Sequence, residues 1–539
     1  MNEIPFTVEQ LQVVHAESKL SVVLGGAGTG KTTSALAAAQ AYLHQPATPS
    51  IDRVLFLSFS RASVARIVDR SLGILGPAAG RVEVLTFHAL AYSIVRRFGS
   101  LIGRPDAVLV SPPRERLGRQ PGSIGYGDLL PLALQILGAA PAVAAMLRQR
   151  WGLIIVDEFQ DTGDLQQDLL DVIGVDARMI LLGDPDQCIF TFLAQDGVRL
   201  ERIHEACERA GAANTIELPD LSHRDPTGVI PAVARAIQRR QFNSPALTQA
   251  IDEGRLEVKA RIPLSQETEE VARLVADLRN EGLGVAVFTH HNDMLAALSD
   301  GLERALIPHE IAGLGDALAC ALDAQAVMMR FAAGGDEWSG VLDAVAVFIT
   351  SAQRGGKVPQ LARDVLDGTG SSTLQDRLLA LRDKLDSAED SDDARHVAAS
   401  AHNELGLPSK SGAWEQAAAL LGPMHARARR ELGREAEFTA LVAHICSAAR
   451  EATYSALTDL TVAPQEIQLM NLYQTKGREA DATVVVLREG DWLGKETEPF
   501  PATSRLLYVV FSRARKRIIV MLVGDRLHPA VAPLAGLFN

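Results

Sequence analysis

The sequence is poor in cysteine, lacks any long apolar run, and carries little positive charge for its length of 539 residues. Its four cysteines, Cys188, Cys207, Cys320 and Cys446, lie far apart and form no CxxC pair. Such spacing argues against a disulfide scaffold and reads as reduced, structural thiols in the cytoplasm. No run approaches the ~20 apolar residues that a membrane span requires, so no membrane partner is expected. The first residues, Met1-Asn2-Glu3-Ile4-Pro5, show no basic region followed by an apolar core, the pattern of an export signal. A net charge of −13 weighs against indiscriminate binding to nucleic acid.

With 47% hydrophobic and 22% charged residues the chain is globular in composition. It is too long for one hydrophobic core, which predicts two to four domains. Charge is unevenly spread. Residues 1–100 carry nine Lys/Arg against six Asp/Glu, and Arg505 to Arg517 holds five basic residues and no acid. A local basic path over an acidic body fits that distribution.

The strongest local signal is Gly25-Gly26-Ala27-Gly28-Thr29-Gly30-Lys31-Thr32, which has the Gly-x4-Gly-Lys-[Ser/Thr] spacing of a phosphate-binding loop. The apolar run Leu20 to Leu24 precedes it and reads as a buried strand. The alanine-rich stretch Thr33 to Tyr42 follows and reads as a helix. Glycines let backbone N–H groups converge on phosphate oxygens, and the helix N-terminus adds positive charge there. Lys31 is then expected on the β- and γ-phosphates and Thr32 on Mg²⁺. Upstream, Gln10 offers an amide that could read an adenine edge or simply face solvent.

Further strands are expected at Arg53 to Ser58, Val82 to Leu85, Leu153 to Val156 and Met179 to Leu182. The residues just past their ends matter, because open α/β sheets bind ligands there. Asp157 and Glu158 are paired acids at one such end. Asp157 is expected on Mg²⁺, and Glu158 is expected to orient an attacking water. Gln187, in Gly183-Asp184-Pro185-Asp186-Gln187, is placed to sense a γ-phosphate. Phe59, Thr86, Phe87 and His88 follow two other strands, and Phe190 and Phe192 alternate beyond Gln187. Aromatic faces in a groove stack bases without regard to sequence. Core packing remains equally open to each phenylalanine.

The P-loop, Val156-Asp157-Glu158-Phe159-Gln160-Asp161-Thr162 and the segment 183–187 occur in one order that resembles the UvrD/Rep/PcrA family of superfamily 1 helicases. Leu221-Ser222-His223-Arg224, Tyr473-Gln474-Thr475-Lys476-Gly477-Arg478-Glu479 and Leu506 to Ala514 resemble its later motifs. The resemblance covers roughly residues 1–310 and 460–539. It implies an α/β fold of two RecA-like lobes, parallel sheets flanked by helices, with helical insertions and ATP between the lobes. The first lobe is expected at 1–98 and 151–218, with a small helical insertion at 99–150. The second is expected at 219–310 and 460–539, with a helical insertion at 311–459. Arg224 and Arg513 would act as arginine fingers, Glu479 would lie near the ribose and metal, and Tyr473 would join the nucleic-acid path.

The resemblance implies an ATP- and Mg²⁺-dependent helicase or translocase on single-stranded or tailed duplex DNA. It would move 3′ to 5′ and serve repair, recombination or phage defence. The chain departs from the family pattern in several places. Thr33 and His223 stand where the family stacks adenine between an arginine and a tyrosine. Leu193 replaces an arginine, and Ala502-Thr503-Ser504 replace an expected glutamate. No nuclease-like cluster of acids follows Arg513. These departures fit an alternative expectation, a DNA-sensing ATPase subunit that regulates a partner nuclease in a defence complex.

Overall fold

The computed structural model describes residues 6–46, 48, 52–59, 61–118, 122–189, 197–199, 201–290, 294–295, 298, 302, 307–311, 315–351, 358–408, 410–433, 436–458, 466–489, 491 and 498–538. The chain divides into two compact units. One comprises Met1–Ala91, Leu130–Ala312 and Thr461–Asn539, and the other Tyr92–Leu129 and Gly313–Leu460.

The first unit holds two six-stranded sheets. Its chain begins with β1 (Leu20–Leu24), β2 (Arg53–Ser58) and β3 (Val82–Thr86). The short strands β4 (Val108–Leu109) and β5 (Ser123–Ile124) belong to the second unit. The first unit resumes with β6 (Trp151–Val156), β7 (Arg178–Gly183), β8 (Thr215–Glu217), β9 (Leu256–Ile262), β10 (Val285–Thr289) and β11 (Glu310–Ile311). It ends with β12 (Ile467–Asn471), β13 (Ala480–Arg488) and β14 (Ala514–Val523). The first sheet runs β3-β2-β6-β7-β1-β8 and the second β11-β12-β10-β13-β14-β9. Every pairing in both sheets is parallel. Both are RecA-like lobes of the α/β class.

Parallel strands covered on both faces read as unbroken apolar runs rather than alternating ones. Val54 to Leu57 on β2 and Ile154 to Val156 on β6 are fully buried. The topology sets the site. β1, β7 and β6 are neighbours, with Leu24 opposite Gly183 and Val156 opposite Leu181. Their carboxyl ends therefore finish side by side, and the loops after them converge. In the second sheet Ala480 pairs with Ala514, so the residues just before β13 and β14 also meet.

The second unit is built mostly from helices, including Gly315–Ala332, Trp338–Ser351, Ser391–Leu405 and Ser411–Leu432. Their core closes around Trp414, which is fully buried, donates its indole N–H to Ala398 O at 3.0 Å and meets the Phe348 ring edge-on at 4.8 Å. The short helix Pro112–Leu117 joins this core through an Arg114–Asp343 ion pair and an Arg116 bond to Thr350 O at 3.0 Å.

This differs from the expected insertion at 99–150. The helix Pro141–Arg148 packs in the first unit on β6 and on the helix Asp164–Ile173. Its Val143, Ala144 and Leu147 are buried, and Arg148 donates to Val172 O at 2.8 Å. Prolines and glycines marked a break in rhythm, but not which side of the break each helix would cover. The acidic run Asp386 to Asp393 has a local role, since Asp390 caps the helix Ser391–Leu405 by accepting from the N–H groups of Asp392 and Asp393. A carboxylate there also suits the positive end of the helix.

Candidate functional site

Between the two sheets of the first unit lies a cavity of about 410 Å³. It is lined by residues 26–33, Arg66, Arg70, Asp157, Glu158, Gln187, His223, Arg224, Glu479, Arg513 and Arg515. One lysine and five arginines thus face three carboxylates, a surplus of positive charge suited to a polyphosphate.

The P-loop backbone is possible only with glycine at its tightest points. Gly28 and Gly30 have φ of +82° and +90°. A Cβ on Gly28 would sit 2.5 Å from Ser222 Oγ, and one on Gly30 would sit 2.6 Å from Gln10 Nε2. The cradle is therefore shaped by the absence of side chains. Gly30 caps the helix α2 (Lys31–His44), whose first turn supplies Lys31 and Thr32. Lys31 Nζ donates to Gly25 O at 2.5 Å and Gly26 O at 3.0 Å, so its ammonium lies over the loop.

Thr32 Oγ1 donates to Asp157 Oδ2 at 3.3 Å. This hydroxyl–carboxylate pair fits Mg²⁺, which takes one or two protein oxygens and fills its octahedron with water and substrate phosphates. Among the described residues no group of three or more His, Cys, Asp or Glu side chains could hold an ion by itself. Burial, and next the neighbouring Glu158, push the Asp157 carboxyl up to about 6. For Glu158 burial works in the same upward direction, but Lys476, Lys31 and Arg513 outweigh it and hold the carboxylate down at about 2. The adjacent acids are thus held at opposite ends of the carboxyl range. Glu158 has φ of +55°, a left-handed conformation in a residue with a Cβ. That geometry costs about 1–2 kcal/mol and survives only where the surroundings impose it. Gln160 is part of that imposition: it donates to Glu158 Oε2 at 2.7 Å and accepts from Asp184 N at 3.1 Å.

The facing wall comes from Glu479 and Arg513, which precede β13 and β14, and from Arg224, which lies between β8 and β9. Arg513 is 3% exposed and donates to Gln187 Oε1 at 2.6 Å and to Val509 O at 3.0 Å. Gln187 in turn donates to Asp184 Oδ2 at 2.7 Å. Arg224 donates to Glu479 Oε1 at 2.6 Å and to Ser512 O at 2.5 Å, while its buried Nε makes no hydrogen bond. Burial opposes charge on Glu479, but Arg224 first, then Arg66 and Arg70, hold its carboxyl far below the usual range. Both arginines expected to cross toward the P-loop thus do reach the same cavity as Lys31 and Asp157.

Gln10 is 3% exposed and belongs to the helix α1 (Val8–Val14). Its Oε1 accepts from Thr7 N at 3.0 Å. Its Nε2 donates to Thr29 O at 3.0 Å and lies 3.1 Å from His223 Nε2. The amide is thus engaged with the P-loop and with His223, not facing solvent.

The residues expected on nucleic acid divide. Phe87 is 3% exposed, and its ring is packed in the interior with no face left for a base. Thr86 is buried too, and its Oγ1 accepts from Ala89 N at 3.1 Å, capping the helix Phe87–Phe98. Both corrections have one cause: the strand end runs directly into a helix whose first turns are largely buried. Phe59, His88 and Tyr473 are half-buried. Phe190, Phe192 and Leu193 lie outside the described residues.

Several site residues were not singled out from sequence. Arg66 and Arg70 lie one turn apart on the helix Arg61–Leu75, and Arg66 reaches Glu479 Oε1 at 3.0 Å. Arg515 reaches Glu479 Oε2 at 3.2 Å. Tyr508 approaches Asp184 Oδ2 at 3.4 Å, and Lys476 pairs with Asp161. Lys476 and Tyr508 stood inside recognised motifs without a role. The i, i+4 spacing of Arg66 and Arg70 was the one signal for a shared face.

A family profile described as an AAA domain matches residues 10–193. ATP-dependent DNA helicase UvrD1 of Mycobacterium tuberculosis is 24% identical over 386 residues, covering 57% of this chain and 49% of that protein. DNA helicase II of Salmonella typhimurium is 22% identical over 371 residues, covering 57% and 51%. ATP-dependent DNA helicase PcrA of Leuconostoc citreum is 23% identical over 245 residues, covering 34% and 33%. The chain spans about half the length of the first two of these relatives. Among the described residues no single helix is long and apolar enough to cross a membrane. The ordered motifs, the paired parallel sheets and these matches make the chain similar to UvrD-like helicases of superfamily 1.

Proposed function

We propose that the chain is an ATP-dependent DNA helicase or translocase that moves on single-stranded DNA, 3′ to 5′, in repair, recombination or phage defence. The observation that carries this reading is the single cavity with Lys31, Asp157 and Glu158 on one wall and Arg224 and Arg513 on the other. The P-loop amides and Lys31 bind the triphosphate. Thr32 and Asp157 would hold Mg²⁺, which would supply neutralisation of phosphate charge. Glu158, kept ionised by the surrounding cations, accepts a proton from the attacking water. Gln187 orients that water and ties its position to Arg513. Arg224 leaves Glu479 for the γ-phosphate as charge grows there. Because Arg224 and Arg513 belong to the second lobe, binding draws the lobes together and product release lets them part. Phe59, Phe190, Phe192 and Tyr473 then grip bases alternately.

The alternative reading, a DNA-sensing ATPase subunit that controls a partner nuclease, is favoured by Leu193 and by Ala502-Thr503-Ser504 in place of the family's residues. ATP hydrolysis with and without single-stranded DNA tests both, comparing wild type with Lys31→Ala. Strong stimulation in wild type and almost no turnover in the variant are expected. Unstimulated hydrolysis would sink both readings. Strand displacement on a 3′-tailed duplex by the purified chain selects the helicase. Binding without displacement, together with co-purification of a nuclease, selects the regulatory subunit.

A further inference from the structure

Beneath the phosphate cradle, an ion pair between Lys476 and Asp161 joins the two lobes through their interiors. Lys476 stands in the tight turn Thr475 to Arg478, where Arg478 N donates to Thr475 O at 3.2 Å and Gly477 takes φ of +79°. From there its ammonium crosses to Asp161 on the first lobe. The side chains are 3% and 0% exposed. Asp161 ends the short helical turn Phe159–Asp161, which begins immediately after the left-handed Glu158. Its N–H donates to Glu158 O at 2.9 Å. A second-lobe cation therefore holds the very turn that aims Glu158 into the cavity.

The carboxylate end of the pair is also poorly provided for. Asp161 Oδ1 and Thr475 Oγ1 are buried and make no hydrogen bond. Two ions taken out of water lose much of their hydration energy, and attraction in the interior offsets that loss only when the remaining lone pairs are satisfied. Here they are not. Separation returns both ions to water, so the closed arrangement gains little net stability from this contact. Removing only the lysine is different, because it leaves a buried carboxylate without its cation.

Resting on the nucleotide-hydrolysis reading above, we infer that Lys476 is a positioning residue whose pairing with Asp161 sets the Glu158 turn on lobe closure and lets the lobes part again afterwards. It does not line the nucleotide cavity; it holds the Glu158 turn through Asp161 and adds its charge to those that keep Glu158 ionised. The pair transmits closure to the hydrolytic carboxylate, yet does not trap the closed state.

The test compares wild type, Lys476→Arg, Lys476→Met and the double variant Asp161→Leu/Lys476→Met, each with single-stranded DNA. Lys476→Met is expected to slow single-turnover hydrolysis on the order of 100-fold, because the turn that carries Glu158 loses the partner that fixes it. Nucleotide affinity should change less than about 3-fold, and Lys476→Arg should recover activity to within about 10-fold of wild type. The double variant removes both ions, so it should melt no lower than wild type and hydrolyse faster in one turnover than Lys476→Met. Its steady-state rate should nevertheless fall about 10-fold, because no rehydration now favours opening. Unchanged single-turnover hydrolysis in Lys476→Met, or a double variant that cycles as fast as wild type, overturns the inference. Loss of affinity and melting temperature together, with no rescue by arginine, also overturns it and leaves a structural bridge. Hydrogen exchange of the Phe159 to Thr162 amides, measured without nucleotide, tests the contact apart from hydrolysis. Faster exchange in Lys476→Met and protection in Lys476→Arg support it, and no difference overturns it whatever wild-type turnover proves to be.

Discussion

Truncating Arg513 is the sharpest challenge to the cleft. The guanidinium is 3% exposed, with one N–H on Val509 O at 3.0 Å and another on Gln187 Oε1 at 2.6 Å. Its neighbours Arg224, Arg66 and Lys31 keep the site positive without it, so binding of a triphosphate should survive. What is lost is a donor placed where charge grows during phosphoryl transfer, a role worth 10³–10⁵ in kcat, or about 4–7 kcal/mol. Arg513→Ala is therefore expected to lower kcat by roughly 10³-fold or more while nucleotide affinity changes less than about 10-fold. Arg513→Lys keeps the charge but cannot reach Val509 O and Gln187 Oε1 as a planar fork does, and should still lose about 10²-fold. The fold tolerates the change at a cost of about 1–3 kcal/mol, chiefly from leaving Gln187 Oε1 without its donor. Phosphate release with saturating single-stranded DNA, nucleotide titration and a thermal melt separate these effects. Arg513→Ala retaining more than about a tenth of wild-type kcat would falsify the assignment.

Gly28→Ala should destabilise the protein by about 1–2 kcal/mol and weaken nucleotide binding, because a Cβ at φ +82° would press within 2.5 Å of Ser222 Oγ. A melt and a nucleotide titration check both effects. Glu479→Gln should cost stability in a pH-dependent way. The Glu479 carboxyl is held below the ordinary glutamate value of 4.5 despite burial, chiefly by Arg224, so its contribution is complete above that pH and fades as pH falls toward the folded-state value. Wild type and variant should therefore differ most in urea melts near neutrality and converge in acid; a constant difference would contradict the pairing. Trp414→Ala, in the core of the second unit, should loosen that unit by about 3–5 kcal/mol with nucleotide affinity unchanged. Hydrogen exchange would show faster opening of the helices around Trp414.

The P-loop, the paired acids and the buried strands were legible because each is local. Glycine spacing dictates a backbone shape, and an unbroken apolar run such as Ile154 to Val156 dictates a covered strand, whatever surrounds them. Arg224, Glu479 and Arg513 were legible only through motifs recognised together, since an isolated arginine carries no sign of its partner. Phe87 shows the limit: an aromatic after a strand end reads as a base platform or as core, and only the burial of the helix Phe87–Phe98 decided between them.

The sequence by itself therefore determined which segments became strands, the phosphate cradle and the carboxylates beside it, because short-range sterics and hydrophobic pattern are enough for these. Tertiary structure alone decided that Arg66 shares Glu479 with Arg224, that Lys476 reaches Asp161, and that Pro141–Arg148 packs with the first unit. These contacts join residues that can be hundreds of positions apart. Their energies depend on burial and on which charges meet, and neither quantity exists until the two sheets have packed.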